Sequence, residues 1–144
     1  MSEQLSFGKS VLASQPFSSL VGAELTAFAE GHAEIRIPIR DDLKQQHGFV
    51  HGGVVSYAAD NALTFAGGSA LGAGVVTSEF KINYLRPAMG DWLIARAQVI
   101  HAGKNQAVCR CDVYCVDGLE ERLCATSQGT ISRLSSPAAE NTRG

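Results

Sequence analysis

The sequence predicts an α+β fold in which an antiparallel β-sheet wraps around one long central helix. Three observations carry this. Residues 53–69 form the one long helical pattern in the chain, and it is apolar on nearly every side. After Val75, four segments have strand character and are separated by turn residues. One or two further strands precede the helix. A helix with no polar face needs a sheet that curls over it.

Taken in order, residues 8–20 predict a short helix ahead of Leu20-Val21-Gly22. Ala23 to Arg40 reads as strands. Within it Ile35, Ile37 and Ile39 alternate with Glu34, Arg36 and Pro38, one face buried and one wet. Pro38 suggests an edge position or a strand end. Asp41 to Gly48 is a polar connection. The helix follows, and the pair Gly67-Gly68 is expected to weaken or end it. From Val75 the pattern is that of a β-meander with strands at 75–85, 91–101, 106–116 and 122–133. The breaks fall at Arg86–Gly90, Ala102–Asn105 and Asp117–Glu120, and Asp117-Gly118 is a hairpin signal.

The chain's 144 residues suit a single domain, 1–144, with its core at about 15–133 and a small polar tail, 135–144, expected to fray. Its apolar residues are 45% of the whole, yet no run approaches a membrane span. The first residues lack the basic and apolar regions of a signal peptide, so a cytoplasmic location is expected. The net charge of −2 argues against non-specific nucleic-acid binding. Cys109, Cys111 and Cys115 share one strand face with Ala107 and Val113. Together with Cys124 they fit no common zinc spacing and read as small buried thiols in a reducing compartment.

Function is carried by the stretch Gly48-Phe49-Val50-His51-Gly52-Gly53, which leads into the helix, and by Asp60-Asn61 in the middle of it. A glycine-opened helix start offers free N–H groups to a carbonyl or oxyanion. A carboxylate on an apolar helix is costly unless it is paired or functional. Together they suggest acyl chemistry. Asp60 lies eight positions after Gly52, a little over two turns, so one chain cannot bring both to one substrate. Two such helices running antiparallel in a dimer would.

With Thr77 at the head of a strand ending in Tyr84-Leu85-Arg86-Pro87 and a Gly103-Lys104 loop, these motifs resemble the hotdog-fold acyl-CoA thioesterases of the phenylacetyl-CoA thioesterase type. The resemblance implies that the α+β sheet-and-helix arrangement is a hotdog fold. It implies hydrolysis of an acyl-CoA, aryl-acetyl, aroyl or medium-chain, to a free acid and coenzyme A, with no metal or redox cofactor. It makes Asp60 the nucleophile or general base and Gly52 the carbonyl-polarising donor. Gln45 and Thr77 would position the attacking water, and His51 would orient the turn. Gly53, Asn61, Ser78, Arg86 and Lys104 would contact substrate, the two cations serving the phosphates of coenzyme A. Thr77 and Ser78 point to opposite faces of a strand, so only one can serve. A homodimer is the minimum assembly and a homotetramer the expected one. A non-catalytic acyl-CoA binding module, or a hotdog hydratase or dehydratase, stays open as an alternative.

Overall fold

The computed structural model describes residues 1–135. Except for Ser135, the expected frayed tail lies outside them.

Two short helices open the chain, α1 (Glu3–Ala13) and α2 (Pro16–Val21), in place of the single helix expected over 8–20. The sequence holds the reason for both limits. Ser2 accepts the Leu5 N–H as an N-cap, so the first helix starts earlier. Pro16 takes the first position of the second helix, where its missing N–H costs nothing.

Strands β1 (Glu24–Ala29) and β2 (His32–Pro38) form a hairpin. Pro38 is indeed the last residue of its strand. The central helix α3 (Gly52–Leu71) precedes β3 (Val75–Tyr84), β4 (Trp92–Ala102), β5 (Gln106–Asp117) and β6 (Glu120–Arg133).

All six strands join one sheet in the order β1-β2-β4-β5-β6-β3, every pair antiparallel. This corrects the simple meander in one respect. Strand β3 does not pair with β4, its successor, but with β6, and so forms one edge of the sheet. The β4-β5-β6 run is a true meander, and Gly118 turns the β5–β6 hairpin at φ +61°.

The sheet curls over α3. Ala58, Ala59, Ala62, Leu63 and Ala66 are fully buried against it, facing Ile35, Ile37, Leu93, Ala95 and Val113 among others. Alanines let the helix axis approach the sheet closely. Helix α3 runs straight through Gly67-Gly68 instead of ending there. A Cβ on Gly67 would lie 2.6 Å from the Ile131 Cβ, so close packing requires this glycine. The packing outweighs a helix-propensity cost of about 1 kcal/mol. Among the described residues, no helix is long and apolar enough to cross a membrane.

One face of α3 is left without cover. Gly53, Ser56, Asp60, Thr64 and Gly68, spaced by three or four residues, are only partly buried or exposed. The helix is therefore not enclosed all round, as its composition suggests. The uncovered face adjoins the edge strand β3.

Candidate active site

Asp60 projects from this uncovered face, two turns into the helix. Thr77 at the start of β3 donates its hydroxyl to Asp60 Oδ1 at 2.6 Å. Thr64, one turn further along α3, bonds the Asp60 carbonyl at 2.8 Å and lies 2.9 Å from the Thr77 hydroxyl. The second carboxylate oxygen, Oδ2, receives no hydrogen bond among the described residues. None of the cations described there pairs with Asp60 either. The carboxylate is thus held by one oxygen and free at the other, an arrangement suited to attack or proton abstraction.

The strand explains why Thr77 and not Ser78 reaches the acid. A bulge between Thr77 and Glu79 leaves Ser78 as the extra residue. Ser78 donates to the Thr130 carbonyl and accepts from Ser132, away from Asp60.

A second cluster forms at the start of α3. His51 is the N-cap, and its Nδ1 accepts the Gly53 N–H at 2.9 Å. The acceptor role fixes Nδ1 as unprotonated and leaves any proton on Nε2. The Gly52 N–H meets no acceptor among the described residues, so it is available to a ligand. Gln45, Gly52, Tyr84 and Arg86 line a groove of about 370 Å³ beside it. Gln45 takes the His47 N–H on its side-chain oxygen at 2.5 Å, leaving its amide nitrogen free among the described residues. Lys104 stands elsewhere, in a recess shared with His101 and Arg133 beyond the other end of β3.

Asn61, next to the acid, turns inward. Its amide donates to Gln15 Oε1 and to the Tyr57 hydroxyl, each at 3.0 Å, and Ser18 bridges the same two groups. Burial pushes the Tyr57 phenol above its usual range. Asn61 and Thr64 also border a cavity of about 150 Å³ with Phe7, Phe28, Phe65 and Val75.

Seven of the ten residues named from the sequence therefore fall into two groups on one chain, while Asn61, Ser78 and Lys104 stand apart from both. Asp60 and Thr77 belong to one; Gly52, Gly53, His51, Gln45 and Arg86 to the other. Sequence reasoning missed Thr64, although its i+4 spacing from Asp60 was a readable signal. It also missed the contact of Tyr84 with the helix start, for which no local signal exists.

The Thioesterase superfamily model matches residues 47–121, which hold the Gly52 turn, Asp60, Thr77 and the first three of the four strands after the helix. The chain belongs to the thioesterase superfamily. As a thioesterase it has close structural counterparts. A thioesterase family protein from Silicibacter pomeroyi is 35% identical, with a TM-score of 0.85 over 88% of this chain and 95% of that one. Thioesterase HI1161 from Haemophilus influenzae is 30% identical, with a TM-score of 0.81 over 94% of this chain and 93% of that one. Acyl-coenzyme A thioesterase PaaI from Escherichia coli is 35% identical over 89 residues, 61% of this chain and 63% of that one. The fold of this thioesterase is the α+β hotdog, and its class is that of the thioester hydrolases.

The four cysteines take no part in this site as nucleophiles. All are buried and free. Burial pushes the Cys109 thiol up to about 11 and Cys124 to about 12, and raises Cys111 further. These three stay protonated and apolar, and Cys115 is buried beside them on the same strand face as Cys109 and Cys111.

Proposed function

We propose that the protein hydrolyses an acyl-CoA to a free acid and coenzyme A, in a site shared by two copies of the chain. The observation that carries this is the separation of two unspent groups. The open Asp60 Oδ2 and the free Gly52 N–H lie on one helix, about 12 Å apart along its axis. No single thioester carbonyl reaches both. A second copy supplies the missing half. Strand β3 is an unpaired edge, and Val76 and Tyr84 on it are exposed. Antiparallel self-pairing of β3 sets the start of one strand beside the end of the other, which brings Asp60 and Thr77 toward the second copy's Gly52 turn. It also covers the open face of α3 and removes a hazardous sheet edge.

In that site Gly52 N–H binds the thioester oxygen and stabilises the charge that develops on it. Asp60 Oδ2 either takes a proton from an attacking water and passes it to the departing sulfur, or attacks the carbonyl carbon itself, in which case water afterwards hydrolyses the resulting acyl-aspartyl anhydride to the free acid and returns the carboxylate. In both cases the C–S bond breaks and coenzyme A leaves, its thiolate taking up the proton that the water gives up. Thr77 orients the carboxylate, and the Gln45 amide faces the groove where water and thioester meet. Arg86 and, from the second copy, Lys104 flank opposite ends of β3 and suit the phosphates of coenzyme A. The cavity beside Thr64 is lined by three phenylalanines and holds about one aromatic ring. An aryl acyl group fits it; a short or medium aliphatic chain is the second choice.

Thiol release from a panel of aryl and aliphatic acyl-CoAs tests the reading. Wild type is expected to turn over at least one aryl thioester, and Asp60→Ala to lose about 10²-fold or more in rate with its fold intact. Binding without thiol release, or an equally active Asp60→Ala, would leave a non-catalytic acyl-CoA binder.

A further inference from the structure

The peptide unit between Gly52 and Gly53 is held from both ends. Its N–H, on Gly53, donates to His51 Nδ1 at 2.9 Å. Its carbonyl, on Gly52, accepts from the Tyr84 hydroxyl at 3.0 Å. Tyr84 comes from the last residue of β3, thirty-two positions away in sequence. Ser56, one turn into the helix, also bonds the Tyr84 hydroxyl. Only one proton arrangement satisfies all three oxygens: Ser56 donates to Tyr84, and Tyr84 donates to Gly52. The tyrosine ring lies against the glycine itself, since a Cβ on Gly52 would sit 3.4 Å from the phenolic oxygen.

These pins have a job that packing alone does not require. Tyr84 is half exposed and stabilises no core. Two adjacent glycines form the least restrained peptide a chain can make. The same two glycines begin the helix whose free N–H faces the groove. An oxyanion donor acts by being held in place before the charge develops, and loosening by an ångström is costly.

We infer that Tyr84 is a positioning residue for the thioesterase reaction: its hydroxyl locks the Gly52–Gly53 peptide, the unit joined through the Gly52 Cα to the His51–Gly52 peptide that carries the donor, and so keeps the Gly52 N–H aimed at the thioester oxygen. The inference rests on the thioesterase reading and adds a role to a residue outside the acid and water-holding set. It assigns the hydroxyl, and not the ring, as the functional part. Ser56 serves as the outer link of the chain Ser56–Tyr84–Gly52, in which each hydrogen bond polarises the next.

The test is Tyr84→Phe, with Ser56→Ala as a second variant that leaves the tyrosine in place. Single-turnover hydrolysis of the best acyl-CoA is measured beside the affinity for its non-hydrolysable thioether analogue and the urea midpoint. Tyr84→Phe is expected to slow the chemical step about ten-fold, less than outright loss of an oxyanion donor. Thioether affinity and urea midpoint stay at wild-type values, because neither depends on the aim of one N–H. Ser56→Ala gives a smaller loss of the same kind. A second readout uses the Asp60→Ala background, in which bound thioester survives. The infrared band of its carbonyl, lowered by the Gly52 N–H, should move back toward its solution position when Tyr84→Phe is added.

An unchanged single-turnover rate in Tyr84→Phe overturns the inference while leaving the thioesterase reading intact. So does a rate loss that comes wholly from weaker thioether binding, which would make Tyr84 a substrate contact. If wild type hydrolyses no thioester at all, the functional reading fails first and this role falls with it.

Discussion

The two sides of α3 are made by the same twenty residues and answer to different demands. On the sheet side, Ala58, Ala59, Ala62, Leu63 and Ala66 have no exposed surface, and even Gly67 is chosen by its contact with Ile131. On the other side Gly53, Ser56, Asp60 and Thr64 carry hydroxyls, a carboxylate and a bare backbone. The first side is accounted for within one chain. The second is left, among the described residues, with an unpaired carboxylate oxygen and a free helix N–H, neither of which stabilises the monomer. Groups that a fold leaves unsatisfied at such a place are the ones a reaction uses. The contrast separates what holds the protein together from what it does, within one helix.

The largest effect expected is all or none, and it would break the comparison if absent. Gly52→Pro removes the oxyanion N–H without disturbing the helix. Proline is tolerated at the first helical position, and His51 already has the extended ψ of 135° that a following proline demands. Gly52→Pro and Asp60→Ala homodimers should both be inactive. Mixed after subunit exchange, they form heterodimers with one intact site, and thiol release should return to about a quarter of wild type. No recovery, with exchange demonstrated, would put both groups in one chain and refute the shared site.

The buried side should respond in stability and not in rate. Gly67→Ala places a Cβ 2.6 Å from Ile131, which must shift. The expected cost is about 1–3 kcal/mol in urea unfolding, despite alanine's better helix propensity. On the open side, Gly53→Ala meets only the His51 ring, at 3.0 Å, which can swing into solvent at no more than the cost of its N-cap bond, about 1 kcal/mol, so the loss should be smaller. Equal losses at the two positions would mean that α3 is not divided as described.

Much of this contrast was legible in the sequence. The strands after Val75 fall within two residues of their expected limits because turn residues punctuate them. Asp60 and Gly52 stood out because a carboxylate on an apolar helix and a paired glycine at its start each break the local pattern; Thr77 was named through the family resemblance, since a hydroxyl on a strand is by itself unremarkable. What could not be read is non-local. Nothing in residues 75–84 says that they pair with β6 and form an edge; that partner lies some fifty positions away. The uncovered side of α3 was hidden because Val54, Tyr57 and Phe65 give the helix an apolar look all round, and only the curl of the sheet shows which side it reaches. The Ser78 bulge and the Tyr84 contact depend on that same edge strand, so they were equally out of sight.

A smaller effect sharpens the role of the open side. Thr77→Val removes the hydrogen bond to Asp60 Oδ1 while keeping the shape of the side chain. Hydrogen bonds to charged groups contribute about 1.5–3 kcal/mol, so a rate loss of about 10- to 150-fold is expected. Unfolding should change little, because the carboxylate is only partly buried and water can replace the hydroxyl. Thr77→Ser restores the donor and most of the rate. A Thr77→Val enzyme as fast as wild type would show that Asp60 needs no orienting partner.

The smallest effect concerns how well the sheet seals the buried side. Cys109 and Cys111 lie beneath it on β5, and Cys124 lies on β6. Burial raises their folded-state values, Cys109 to about 11 and Cys124 to about 12, from an unfolded value near 9. The sign follows directly. Below 9 the thiols are protonated in both states and the full stability is present; as pH rises from 9 toward 12 the unfolded chain loses protons first, and stability falls. At pH 8 none of this is felt, and a thiol reagent should find no reactive cysteine in the folded protein but all four after unfolding. The same insensitivity keeps the protein's own thiols out of a thiol-release assay. Rapid labelling of Cys109 or Cys111 at pH 8 would mean that the sheet opens readily over α3, and the sharp division between its two sides would have to be softened.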